Sequence, residues 1–119
     1  MSSEIDEQFE SEVVGDVRVI RLPADMPPDF TAREPYRRAL AKVIEEHSET
    51  KLIINLRNTP FYDSMSVGVL VSAQWHLSKR GIQCRFCGVS EQTRWAIEAT
   101  QLTKVLAVFN DEAAALDGF

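Results

Sequence analysis

Positive charge is scarce in this chain. Its 119 residues carry 13 lysines and arginines against 18 aspartates and glutamates, a formal net charge of −5. A protein that grips a nucleic-acid backbone neutralises phosphates with a basic patch, so a nucleic-acid partner is not expected. The local group Arg33, Arg37 and Arg38 reads as the solvated side of a helix. Long apolar runs are missing as well. The stretch from Thr59 to Leu77 has Asp63 as its only charged residue, yet it holds too many polar residues for a bilayer. Membrane insertion is therefore not expected. The N-terminal MSSEIDEQFESE is acidic and lacks a basic-then-apolar signal pattern, which makes a cytoplasmic location the expectation.

Cysteine and histidine are nearly absent, at two each. Both cysteines fall in CRFC, Cys84 to Cys87, a C-x-x-C spacing. Redox pairs of this kind open a helix, whose dipole lowers a thiol pKa, whereas Ile82 to Cys87 reads as a strand. Positions i and i+3 of a strand point to opposite faces, so the sulfurs should diverge as buried, reduced thiols. A zinc site would need two further ligands, and no second C-x-x-C or histidine pair supplies them. No Gly-rich phosphate loop is present. Asp63, Ser64 and a histidine do not make a hydrolytic triad. The aspartate adjoins the serine, and His76 lies about 18 Å farther along a predicted helix, beyond hydrogen-bond reach. His47, alone at the edge of a helix face, reads as structural. No enzyme, cofactor or metal is implied.

What remains is ordinary globular material, 45% hydrophobic and 26% charged, enough for one domain. The reading is an acidic tail over residues 1–8 and a single domain over 9–119. Phe9 to Val14 and Val17 to Leu22 are β-rich and flank Gly15-Asp16, a hairpin turn. PADMPPDF is a proline loop. Tyr36, Leu40, Val43, Ile44 and His47 share one face of an amphipathic helix. Leu52 to Leu56 is a strand apolar on both faces. A helix from about Ser64 to Arg80 stops at Gly81. The strand Ile82 to Cys87 follows, then a helix capped by Ser90, a strand Val105 to Phe109, and a short helix Asp111 to Leu116 capped by Asn110 or Asp111. The alternation predicts an α/β fold, a mixed sheet of about five strands with helices packed mainly on one side.

At 100° per residue, Val67, Leu70, Ala73, Gln74 and Leu77 should face the sheet, leaving Ser64, Gly68, Ser72, Trp75 and Lys79 on the outer side. Met65 and His76 flank that stripe, and Ser66 turns toward the core. Trp75 in a solvent stripe below an exposed serine suggests a contact surface, as does the helix-weakening Gly68 where another surface approaches. The bland alternatives are that Trp75 covers a neighbouring helix or loop and that Asp63 or Ser64 is a plain cap. Trp95 also reads as outward-facing.

These residues carry a family likeness. LIINLRNTPFYDSMSVGVLV, followed by GIQCRFCGVSEQTRWAIEATQLTKVLAVFNDEAAAL, resembles a STAS domain, most of all the stand-alone bacterial anti-sigma-factor antagonists. The likeness rests on a strand feeding a Phe/Tyr-x-Asp-Ser turn into a Gly-Val-Leu-Val helix, on Gly-Val-Ser before the next helix, and on the closing LTKVLAVFNDEAAAL. The resemblance implies a partner-switching regulator of transcription. Its phosphoacceptor would be Ser64, the serine after the aspartate, and its partner a serine kinase that is also the anti-sigma factor. That partner would be held when Ser64 is unmodified and released on phosphorylation. The partner-binding set is then Asp25, Asp63, Met65, Ser66, Gly68, Ser72, Trp75 and Trp95, on a monomer or weak dimer. Three segments depart from the family pattern. Met65-Ser66 stand where Ser-Gly is usual, LPADMPPD replaces a Gly-Glu-Leu-Asp loop with Asp25 in the place of its aspartate, and Gln101 replaces a helix-ending glycine. The alternative is a STAS module of a transporter or lipid-transport complex, or a ligand-sensing one, in which Ser64 only docks.

Overall fold

Two β-rich runs joined by two residues can only fold back on each other, and they do so here. A computed structural model of the chain describes residues 9–23, 34–46, 48–57, 64–102 and 105–119, with the backbone alone at 64–67 and 69. Strand β1 (Glu10–Val14) pairs antiparallel with β2 (Val17–Arg21), Val14 opposite Val17 across Gly15-Asp16. Then follow α1 (Glu34–Glu45), β3 (Lys51–Asn55), α2 (Ser64–Lys79), β4 (Gln83–Cys87), α3 (Glu91–Ala99), β5 (Val108–Phe109) and α4 (Glu112–Leu116). The sheet order is β1-β2-β3-β4-β5, with every pair from β2 onward parallel. Parallel neighbours need crossover connections, and α1, α2 and α3 provide them.

The two-residue period of the strands divides the core into two layers. On one face, Ile20, Leu22, Leu52, Ile54, Leu56, Cys84 and Phe86 pack with Ala39 of α1, Leu70 and Leu77 of α2, and Ala96 and Ile97 of α3. On the other, Val17, Val19, Ile53 and Cys87 pack with Ala115 of α4 and with Phe109, Leu116 and Phe119. Three helices thus cover one face and the short α4 the other, which matches the expected one-sided arrangement. Fully buried side chains such as Ile20, Ile53, Ile54, Leu56 and Phe86 each contribute roughly 1.5–3 kcal/mol by leaving water. Arg85 fastens α4 to the sheet. Its guanidinium lies 4.9 Å from the Phe109 ring centroid and 4.3 Å from that of Phe119. It also donates to the carbonyls of Ala115 at 2.9 Å and Asp117 at 3.0 Å, acceptors that a helix end leaves open.

The caps follow the sequence reading. Ser90 Oγ accepts from Thr93 N–H at 3.1 Å, and Asp111, rather than Asn110, accepts from Ala114 N–H at 2.8 Å at the start of α4. Gly81, at φ 77°, ends α2, while Ile82 N–H donates to Leu77 O at 2.9 Å. Gln101 takes φ 60°, the left-handed conformation a glycine would otherwise occupy, at a cost of about 1 kcal/mol. One strand is shorter than expected. The run Val105 to Phe109 pairs only at Val108–Phe109, because the N–H groups of Val105 and Leu106 donate back to Leu102 O at 2.9 and 2.8 Å. Those bonds extend the turn after α3 and delay the strand. His47 lies outside the described residues.

Candidate functional site

The helix that carries most of the candidate residues begins at Ser64 and runs to Lys79. Its inner side is fixed by Leu70 and Leu77, 6% and 4% exposed, and Trp75 on its outer side is 55% exposed. Gly68, Ser72 and Lys79 are exposed as well, so the described members of the outer stripe lie where the 100° period put them. Two ring contacts are described for Trp75. Lys79 Nζ sits 4.4 Å from its ring centroid and His76 meets it edge-on at 5.1 Å, both from α2 itself. A Cβ at Gly68 would meet nothing within 4 Å, which leaves the helix surface open beside it. Trp95, on α3, is 70% exposed.

Ser64 is the first residue of α2. Its backbone N–H therefore belongs to the first-turn donors that no helical carbonyl satisfies. Met65 and Ser66 follow in the same turn, with only their backbone described. Asp25 and Asp63 lie outside the described residues.

A polar network that sequence reasoning missed sits at the end of β3 from which the chain runs to Ser64. Register places Glu10, Arg21, Asn55, Cys87 and Phe109 in one row across the sheet. Arg21 grips Glu112, the first residue of α4, with Nε to Oε2 at 2.7 Å and Nη2 to Oε1 at 2.8 Å, and also pairs with Glu12. Asn55 Nδ2 donates to the same Glu112 Oε2 at 2.7 Å, and its Oδ1 accepts from Arg57 N–H at 2.8 Å. Arg57 holds φ 49°, which costs a non-glycine residue about 1 kcal/mol or more. Its side chain reaches Glu10 at 2.6 Å. The hydrogen bond from Arg21 is the main reason the Glu112 carboxyl is held below the usual carboxylate range. Burial opposes that shift, while Asn55, the Arg21 charge and Arg57 add to it. Residues so far apart in sequence leave no periodic trace. The one local signal was Gly88 of Gly-Val-Ser, at φ 69°, where a Cβ would fall 2.3 Å from Asn55 Oδ1.

Both thiols are free and buried. Cys84 packs under the three-helix layer and Cys87 under α4, so they diverge as the strand period requires. Burial raises the Cys84 pKa and pushes that of Cys87 up to about 12, with Glu112 and Asp111 adding to the latter. Neither is a nucleophile at neutral pH. Among the described residues no helix is long and apolar enough to cross a membrane.

The STAS-domain family model matches residues 8–115. The chain belongs to the STAS family. A curated relative, the anti-sigma F factor antagonist of Paenibacillus polymyxa, is 22% identical over 109 residues, covering 92% of each chain. The same fold is found in a Thermotoga maritima protein proposed to be an anti-sigma factor antagonist, with a TM-score of 0.77, 16% identity and 97% of both chains covered. It is also found in the Bacillus cell fate determinant SpoIIAA in its phosphorylated form, with a TM-score of 0.60, 24% identity, and 92% of this chain and 96% of that one covered. At these identities the solved structures establish the mixed five-stranded STAS architecture.

Proposed function

We propose that this STAS domain is a partner-switching regulator of the anti-sigma-factor-antagonist type, cytoplasmic and without catalytic activity of its own. It holds a serine kinase that doubles as an anti-sigma factor while Ser64 is unmodified, and releases it once Ser64 is phosphorylated. The observation that carries this reading is position. In a member of this family, the serine following an aspartate stands at the entrance of a helix whose outer side presents Gly68, Ser72, Trp75 and Lys79. The relatives named as antagonists support the class of partner, and a phosphorylated form of SpoIIAA supports the modification.

The physics gives the switch its sign. A phosphate at the first turn meets unpaired N–H groups and the positive end of the helix dipole, so the free domain tolerates it and gains about 0.3–1 kcal/mol. A partner that covers the neutral hydroxyl must instead desolvate a charge of about −1.5 to −2. Without cations of its own to offset this, it loses several kcal/mol, and each 1.4 kcal/mol is about tenfold in affinity. Binding is emptied while the fold stays intact.

The test is recovery of partners on wild-type, Ser64→Ala and Ser64→Asp proteins, with intact-mass mapping of the chain from its native cells. The Ala variant should retain a kinase-like protein that the Asp variant loses, and phosphate should map to Ser64. Equal recovery by both variants would sink the switch and favour a transport or ligand-sensing STAS module.

A further inference from the structure

Helix α4 lies on the face of the sheet opposite α2, and nothing in the proposed switch uses it. Its first residue nevertheless reaches the strand end that leads to Ser64. Glu112 is held by Arg21 and receives the Asn55 amide at 2.7 Å, and the other atom of that amide, Oδ1, receives Arg57 N–H at 2.8 Å. Asn55 is thus locked at both ends. A flipped amide would aim an oxygen at the Glu112 carboxylate and an NH2 group at the Arg57 N–H, so only one orientation satisfies both neighbours. Arg57, whose N–H is the captured donor, is the residue at positive φ. A strained conformation persists only where its surroundings over-determine it, and Asn55 Oδ1, Glu10 and the close approach of Gly88 do so here.

We propose that Glu112 and Asn55 are positioning residues: α4, through Glu112, orients Asn55, and Asn55 fixes the left-handed turn at Arg57 from which the chain proceeds to the Ser64 entrance of α2. A partner or modification that shifts α4 would thereby act on the strand end from which the chain runs on to Ser64. The geometric part of this inference stands by itself, and its consequence for Ser64 rests on the function proposed above.

The test exchanges the amide and the carboxylate across the contact. Wild type, Asn55→Ala, Asn55→Asp and the Asn55→Asp/Glu112→Gln double variant are compared as full chains. Amide hydrogen exchange is read residue by residue, and the phosphorylated fraction at Ser64 is read by intact mass after expression in native cells. Asn55→Ala removes the acceptor, and Arg57 N–H should exchange about tenfold faster. Asn55→Asp sets two carboxylates against each other and should give an intermediate acceleration. The double variant restores one donor facing one carboxylate, with Arg21 beside both positions as the register partner of Asn55, and should return to within about threefold of wild type. The Ser64 phosphate fraction should follow the same order. Unchanged Arg57 exchange in Asn55→Ala, or a double variant no better than Asn55→Asp, overturns the relay. Altered exchange with an unaltered phosphate fraction overturns its link to Ser64. Absence of phosphate in wild type as well defeats the proposed function instead, and the exchange rates then decide the relay alone.

Discussion

A methyl group on residue 88 would sit 2.3 Å from Asn55 Oδ1 and 3.2 Å from the backbone nitrogen of Arg57, and Gly88 also holds φ 69°. Space and backbone both demand glycine there. Gly88→Ala should cost about 2–4 kcal/mol, read as a lowered denaturant midpoint at unchanged slope. A loss under about 0.5 kcal/mol would mean that Asn55 can move aside freely.

Gly68 is the contrasting case. Nothing lies within 4 Å of a Cβ there, and Ala exceeds Gly in helix propensity by about 1 kcal/mol. Gly68→Ala should therefore raise the melting temperature by several degrees. If the outer side of α2 is the partner surface, the same substitution should weaken partner recovery. A more stable protein that binds as well as wild type would move the interface elsewhere.

Trp75 has just over half its surface in solvent, with Lys79 and His76 as its ring contacts. Trp75→Ala should shift the melting temperature by no more than about 2 °C, since exposed positions change stability by about 0.5 kcal/mol or less. Partner affinity should fall about tenfold. A large drop in melting temperature with binding retained would make Trp75 a packing residue.

The pairing of Arg21 with Glu112 should show in acid. The Glu112 carboxyl is held below its ordinary value in the folded state, first by the Arg21 hydrogen bond. Its contribution is thus fully present above the unfolded value of about 4.3 and is lost as pH falls through the lower folded value. Glu112→Gln should melt about 5 °C lower than wild type near pH 7, with the gap narrowing below about pH 4. A gap that stays constant into acid would mean the carboxylate charge is not what Arg21 holds.

Most of the fold was legible because it follows from short-range rules. The Gly15-Asp16 turn, the apolar period of Leu70 and Leu77, and the caps at Ser90 and Asp111 each announce themselves within a few residues. The opposed faces of Cys84 and Cys87 follow from the strand period alone. The start of β5 was misjudged because Val105 and Leu106 have strand-like side chains but spend their N–H groups on Leu102, a tertiary choice invisible to composition. The cluster of Arg21, Asn55, Arg57 and Glu112 was unreadable for a different reason. Its members are brought together by sheet register and by α4, and each alone is an ordinary polar residue in an ordinary place. On α2 the exposed positions Gly68, Ser72 and Trp75 could be assigned from angle alone, whereas Asp25 was inferred only from resemblance.

The divergence of the two thiols gives the molecule a pair of built-in reporters. A thiol-reactive dye added to native protein should stay dark at both, and each becomes visible only when the layer above it lifts. Labelling at Cys84 would time the opening of the three-helix side, and labelling at Cys87 the release of α4. Anything that binds one side of the sheet can thus be located by which sulfur slows.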